Sequence, residues 1–206
     1  MPEKEPFISM LQRARERLRR EGILSLLLQC LTRVGIRVSP FYYMKESLPP
    51  RPPGGTGSLP GGYEFSAFGL DDVRHIGTLP ERRHYVDPGY VLRNFNKGDL
   101  CFGIKFRGEI VAFTWVSLKE CREIFHHAAM LGNEAYLHDM YVLKAFRGRN
   151  LAPVLRYKTY EILHGMGRDT YYSITEYFNA SSSRFKQKLN ATPVFLGVYI
   201  ELFKTW

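Results

Sequence analysis

From Tyr63 onward the chain alternates short runs with a period of two and longer runs with one apolar face. Residues 63–68 read as a strand. Residues 70–78 read as a helix with Val73 and Ile76 on one side, and residues 83–96 predict a second helix. Residues 99–106 and 109–118 are two apolar strands, and Arg107-Gly108 between them predicts a hairpin. Residues 119–133 carry no clean period and are expected to be irregular or partly helical. Residues 135–142 alternate again. Residues 153–164 place Val154, Leu155, Tyr157, Tyr160, Ile162 and Leu163 on a helix with one buried face. Residues 169–175 predict a strand, 180–189 a short helix and 194–203 a closing strand. This order predicts a mixed α/β sheet with helices on both faces.

The chain before Tyr63 is different. Arg13, Arg15, Arg17, Arg19 and Arg20 interleave with Leu11, Ala14 and Leu18, and the run Ile23 to Leu31 follows. Residues 7–38 are expected to form one amphipathic helix or two, with Gly22 as the weak point. Glu16 and Glu21 in the basic part and Gln29 in the apolar part argue against a signal peptide. Residues 48–62 are rich in proline and glycine and read as a linker. The chain therefore divides into a basic helical extension (1–47), a linker (48–62) and a compact domain (63–206). The extension either packs on the domain or on a second subunit, or lies on an anionic membrane surface through residues 7–38.

Composition narrows the partners. The formal net charge is +9, which favours anionic ones. Nucleic acid is the least favoured of these, because leucines interrupt the arginine run. Cys30, Cys101 and Cys121 are far apart, which fits a reducing, cytoplasmic compartment better than a disulfide scaffold or a zinc site. No apolar run has the length of a membrane span. His126 and His127 are adjacent, a poor spacing for one metal, and no metal site is expected.

The stretch Val142 to Ala152 combines a strand end, a basic turn with Gly148, Arg147 and Arg149, and a helix start. The first amides of a helix have no internal partner and carry a partial positive charge, which suits a phosphate. Arg147-Gly148-Arg149-Asn150-Leu151-Ala152 resembles the Arg/Gln-x-x-Gly-x-Gly/Ala signature of the GNAT superfamily of N-acetyltransferases. Asn150 stands at the central glycine, and asparagine tolerates left-handed backbone better than most residues. The order of elements over residues 63–206 also resembles that family. Asn179 precedes the short helix, and the position seven later, where the family has a tyrosine, is Lys186.

The resemblance implies a central, mostly antiparallel twisted sheet flanked by helices. Two central strands would splay apart, and acyl group and amine would meet in the gap. It implies an acetyl-CoA-dependent acetyltransferase acting on a primary amine. The basic N-terminal helix, not the resemblance, suggests an amino sugar of envelope or exopolysaccharide synthesis as one acceptor. Arg147, Gly148, Arg149, Asn150, Leu151 and Ala152 would hold the pyrophosphate. Tyr141, Val142 and Asn179 would pair with the pantetheine arm. The base is expected on the strand before the loop, at His138 or Asp139, with Glu134 as a weaker candidate. His138 lies nine residues before Arg147, the spacing of a relay histidine in the arylalkylamine branch. With Lys186 in the tyrosine's place, Tyr177 is the candidate acid and Lys186 a candidate phosphate partner. The alternative is a non-catalytic binding module of the same fold, acting through its basic extension. A homodimer and a location at the inner membrane face are both open.

Overall fold

The computed structural model describes residues 27–28, 30–49, 59–82, 87–124 and 126–203. The arginine run of the extension and most of the proline-rich linker lie outside these residues. The strands are β1 (Ile36–Glu46), β2 (Tyr63–Ala67), β3 (Leu100–Phe106), β4 (Glu109–Ser117), β5 (Glu120–Glu123), β6 (His126–Ala129), β7 (Glu134–Val142), β8 (Thr170–Glu176) and β9 (Thr192–Leu202). The helices are α1 (Leu70–Thr78), α2 (Pro88–Asn96), α3 (Leu151–Gly165) and α4 (Ala180–Gln187). Seven strands form one sheet in the order β2-β3-β4-β7-β8-β1-β9, and β5 pairs with β6 as a separate ribbon. Only the β7–β8 neighbours run parallel.

Local chemistry explains most boundaries. Arg107 (φ 52°) and Gly108 (φ 86°) both adopt positive φ, the two-residue turn whose twist matches the strands it joins. Pro88 opens α2 because a first helical position needs no N–H, and the Asp87 side chain accepts from the Gly89 amide. This helix is shorter than the expected 83–96, and residues 83–86 are outside the described part. β4 is buried at every position after Glu109, as befits the centre of a covered sheet. α1 and α2 cover one face through Val73, Ile76 and Val91 against Phe113 and Trp115. α3 covers the other through Tyr160 and Leu163 against Val116, Leu137 and Tyr171.

Two expectations need correction. Residues 36–46, read as part of the helical extension, are a strand in the middle of the C-terminal half of the sheet. Their period of two (Ile36, Val38, Pro40 and Tyr42 against Arg37, Ser39, Phe41 and Tyr43) follows directly on the leucine run and was masked by it. Residues 119–133, expected irregular or partly helical, contain the β5–β6 ribbon, whose Cys121 is buried in one cluster with Tyr136.

β1 carries a buried charge into the sheet. Glu46 is 1% exposed and accepts hydrogen bonds from the Tyr160 and Ser173 hydroxyls. Arg156 Nε lies 3.8 Å and Lys186 Nζ 3.9 Å from its carboxylate. Lys186 is 2% exposed and donates to the Ile174 carbonyl at 3.0 Å, so it is no phosphate partner. Burial lowers the Lys186 ammonium to about 8, against the pull of Glu46. A lysine whose folded pKa is depressed binds fewer protons folded than unfolded, so its charge destabilises below pH 8 and stops doing so toward pH 10.5. Lys186→Met is expected to stabilise the protein at pH 7 by up to about 3 kcal/mol. That advantage should shrink steadily from pH 8 upward, measured as the difference between urea unfolding curves of variant and wild type. Arg156 and the two hydroxyls keep Glu46 partnered in the variant.

Candidate active site

β7 and β8 are joined only at Glu134↔Thr170, Ala135↔Tyr171 and Tyr136↔Tyr172. Beyond Tyr136 they diverge, so the side of β7 facing β8 is open along residues 138–142. β7 also carries a bulge, where its register against β4 shifts between Phe113 and Trp115 and Asp139 takes φ 44°. The bulge sends both His138 and Asp139 toward the face covered by α1 and α2.

His138 is held on every side. Its imidazole lies between the Tyr136 ring (5.6 Å, 9° between planes) and the Trp115 indole (6.4 Å, 28°), and its side chain is 9% exposed. Nε2 is 3.4 Å from Oδ2 of Asp99, and Nδ1 is 3.5 Å from the Tyr90 hydroxyl. Asp99 Oδ2 also accepts from Arg122 at 2.5 Å, and Arg122 reaches Glu120 at 3.1 Å. Burial by itself would raise the Asp99 carboxyl, but the bonds from His138 and then Arg122 outweigh it and hold the group below the usual carboxylate range. An ionised Asp99 facing Nε2 places the proton there and leaves the lone pair on Nδ1, facing Tyr90. These groups line a polar cavity of about 150 Å³ with Asn94, Lys97 and Glu123.

Asp139 points elsewhere in its chemistry. Arg82 donates to both of its oxygens at 2.7 Å, and the guanidinium packs over the Phe113 and Tyr141 rings at 5.1 and 5.4 Å. Glu81, one residue earlier, accepts from the Tyr141 hydroxyl and the Lys144 amide at 3.0 Å each. The loop after α1 is thus clamped onto β7. Glu134 is spent at the closed end of the splay, on the Leu131 amide and the Tyr172 hydroxyl.

The opposite mouth of the splay is an open groove of about 760 Å³, between the start of α3 and the start of α4. Gly148 (φ 78°) and Asn150 (φ 58°, ψ 21°) are both left-handed, and Asn150 caps α3 with no side-chain bond. At the signature's glycine position asparagine therefore holds a left-handed conformation that glycine would adopt freely. Leu151 and Ala152 begin the helix before any i−4 carbonyl can pair with their amides. Arg147 donates to the Val142 carbonyl at 3.1 Å and lies over Tyr141, while Arg149 donates to Tyr63 and lies over Phe146. Arg184 and Lys188 add charge from α4. Asn179 caps α4 by accepting from the Ser182 amide, which leaves its own amide hydrogens toward the groove it lines. Open strand edge, left-handed turn, unpaired helix amides and flanking cations together suit the pantetheine and pyrophosphate of a coenzyme A thioester. Asn150→Val should cost about 1–2 kcal/mol in thermal unfolding, and Asn150→Gly almost nothing, because only the former must hold a β-branched side chain at positive φ.

The structure sets the sequence candidates apart. His138 faces the polar cavity, and the 147–152 loop and Asn179 line or border the groove on the other side. Tyr177 is 40% exposed and stacks on Tyr42, and it lines neither cavity. Asp99, Tyr90, Arg122 and Arg82 were not read from the sequence. Asp99 looked like an ordinary strand start and Tyr90 like a helix aromatic, with no spacing that tied either to His138. Among the described residues no group of three or more His, Cys, Asp or Glu side chains converges as a metal site, and no helix is long and apolar enough to cross a membrane.

Comparison with known proteins agrees with this geometry. Solved structures similar to this chain include a GNAT-family protein from Novosphingobium aromaticivorans (20% identity, TM-score 0.57, covering 83% of this chain and 69% of that one). A GCN5-related N-acetyltransferase from Sphaerobacter thermophilus matches at 15% identity and TM-score 0.58, over 90% of this chain and 58% of that one. The ribosomal-protein-S18-alanine N-acetyltransferase from Escherichia coli matches at 14% identity and TM-score 0.51, over 70% and 96%. At these identities the likeness is one of fold. A search of curated proteins found no match. The model of the acetyltransferase (GNAT) family matches residues 70–190, more than half the chain and spanning the splay, the phosphate loop and the cap of α4. On that match, the chain belongs to the GNAT family of acetyltransferases.

Proposed function

We propose that this protein is an acetyl-CoA-dependent N-acetyltransferase for a primary amine, with His138 as the base. The observation that supports this most directly is the Asp99–His138–Tyr90 chain, which opens into a polar cavity across the splay from the phosphate-ready groove. Bound acetyl-CoA would supply the thioester carbonyl. The chain's own residues do the rest by positioning and by moving one proton. The 147–152 loop holds the pyrophosphate, and Asn179 and the open edge of β7 hold the pantetheine arm.

An amine is mostly protonated at neutral pH and must lose a proton to attack. The buried imidazole does not meet the amine itself, because both ring nitrogens already face protein groups. The ammonium N–H breaks toward the Tyr90 oxygen while the Tyr90 proton passes to Nδ1 of His138. Asp99 then faces an imidazolium through Nε2, and Arg122 keeps Asp99 in place. Burial raises the Tyr90 hydroxyl above its ordinary pKa, so it works as a neutral shuttle rather than as a standing phenolate.

For the acceptor we favour an amino sugar carried near a membrane face. That choice rests only on the arginine run of the extension, which lies outside the described residues. It fails if a chain lacking residues 1–26 is fully active on soluble amino sugars and the full chain ignores anionic liposomes. The test of the main reading is calorimetric binding of acetyl-CoA to wild type and to Arg147→Ala/Arg149→Ala, followed by turnover on a panel of amines that includes amino sugars. Binding weakened by about 10- to 100-fold in the double variant is expected, since two charge-assisted contacts are lost. Equal binding would reject the phosphate loop. Tight binding with no turnover on any amine would reject the enzyme.

A further inference from the structure

The polar cavity beside His138 holds a donor that the proton route does not use. Asn94 is 7% exposed and lines the cavity, and its Nδ2 has no hydrogen-bond partner among the described residues. Its backbone carbonyl accepts from the Asp99 amide at 3.1 Å, which ties the residue to the group that faces His138. A buried amide N–H without an acceptor is costly, and folded proteins rarely leave one. An oxygen brought in by a bound molecule removes that cost.

Asn94 stands four residues after Tyr90 on α2, so the two side chains share a face. Burial raises the Tyr90 hydroxyl, and the Asn94 amide beside it offsets part of the rise. An amine at the Tyr90 oxygen therefore brings its adjacent carbon toward Asn94. The last torsion of asparagine is soft, which lets Nδ2 follow an oxygen on that carbon.

The rest of the wall sets the chemistry of that oxygen. Glu123 lines the same cavity, and the Tyr136 hydroxyl at 2.8 Å takes only one of its acceptor sites. A hydroxyl suits both groups, because it accepts from Asn94 and donates to a carboxylate. A substrate carboxylate would face Asp99, Glu120 and Glu123. Of the cations there, Arg122 is spent on Asp99 and Glu120, Arg93 is spent on Asp87, and Lys97 is exposed. A plain alkyl amine such as a lysine side chain brings no oxygen at all. A cavity of about 150 Å³ has room for one six-membered ring.

We propose that the acceptor is a cyclic amino alcohol with a hydroxyl on the carbon next to the amine, and that Asn94 reads this hydroxyl. The proposal rests on the acetyl-transfer reading above, with the amine at Tyr90. A 2-amino-2-deoxyhexose belongs to this class, reached here from the cavity wall and not from the arginine run.

The test is calorimetric binding, in the presence of coenzyme A, of trans-2-aminocyclohexanol, trans-4-aminocyclohexanol and cyclohexylamine, followed by their initial acetylation rates. Wild type should bind the first about 10- to 100-fold more tightly than the other two, because only its hydroxyl meets Nδ2. Asn94→Leu should bring the affinities to within about threefold of one another by weakening the first, and Asn94→Ala should do the same if leucine disturbs α2. If Asn94 only steadies Tyr90, both variants slow every amine alike and keep the preference, and the proposal falls. It falls equally if wild type binds all the amines alike or binds none. A hydroxyl preference in binding with no turnover of any amine would reject the acetyl-transfer reading and keep the Asn94 contact.

Discussion

His138→Gln is expected to lower the acetyl-transfer rate by about 10²- to 10⁴-fold while leaving acetyl-CoA affinity within roughly twofold. Glutamine keeps much of the shape between Tyr136 and Trp115 but accepts no proton. The groove proposed for the thioester lies on the far side of the splay, and His138 is not among its lining residues. A fall in kcat with unchanged acetyl-CoA binding is thus the signature of a base. Asp99→Asn should act in the same direction, because a neutral amide facing Nε2 no longer supports an imidazolium. Tyr90→Phe should lower kcat with little change in KM if its hydroxyl carries the proton. A Tyr90→Phe enzyme at wild-type rate beside an inactive His138→Gln would remove Tyr90 from the route and leave His138 as the base. An active His138→Gln enzyme would reject the base itself.

Arg82→Ala is expected to destabilise the fold by about 3–5 kcal/mol, read from chemical denaturation. The Arg82 side chain is 7% exposed and that of Asp139 18%, and the two are joined by paired bonds of 2.7 Å. Removing the guanidinium leaves a carboxylate largely buried at a left-handed bulge, with its charge uncompensated. Arg82→Lys should recover only part of the loss, because an ammonium cannot bond both oxygens in plane or stack on Phe113 and Tyr141 together. Arg82→Ala/Asp139→Ala should be less destabilised than Arg82→Ala alone, since the orphaned charge is gone. The same variants should slow catalysis through geometry, because the bulge at Asp139 aims His138.

The elements of the sheet from β2 to β9 were mostly legible, because periodicity is a local property and the turn chemistry at Arg107-Gly108 is written in two residues. The turn and helix start at residues 147–152 were legible for the same reason. Six consecutive residues carry the arginines, the glycine and the helix start, and Asn150 takes the left-handed conformation that a glycine there would take. Where neighbouring patterns ran together, the reading failed. The leucine run before Gly35 disguised β1, and a ribbon of two four-residue strands was too short to show its alternation.

The proposed catalytic constellation belongs to tertiary structure alone. His138 was a candidate by its place on a strand, yet the groups that fit it to the proposed role of base are Asp99, 39 positions earlier, and Tyr90, 48 positions earlier. Asp139 was the other candidate on that strand, and Arg82, 57 residues away, holds both of its oxygens. Lys186 was a candidate for phosphate until the sheet buried it against Glu46 of β1. In each case the side chain's type was visible, but its chemistry depends on which charge or ring the fold sets against it. The sequence determined most of the elements and the local turn at residues 147–152, because those follow from neighbours along the chain. The tertiary structure decided which groups face His138, the silent ion pairs and the bare edge at β9, because those depend on residues that meet only when the sheet closes.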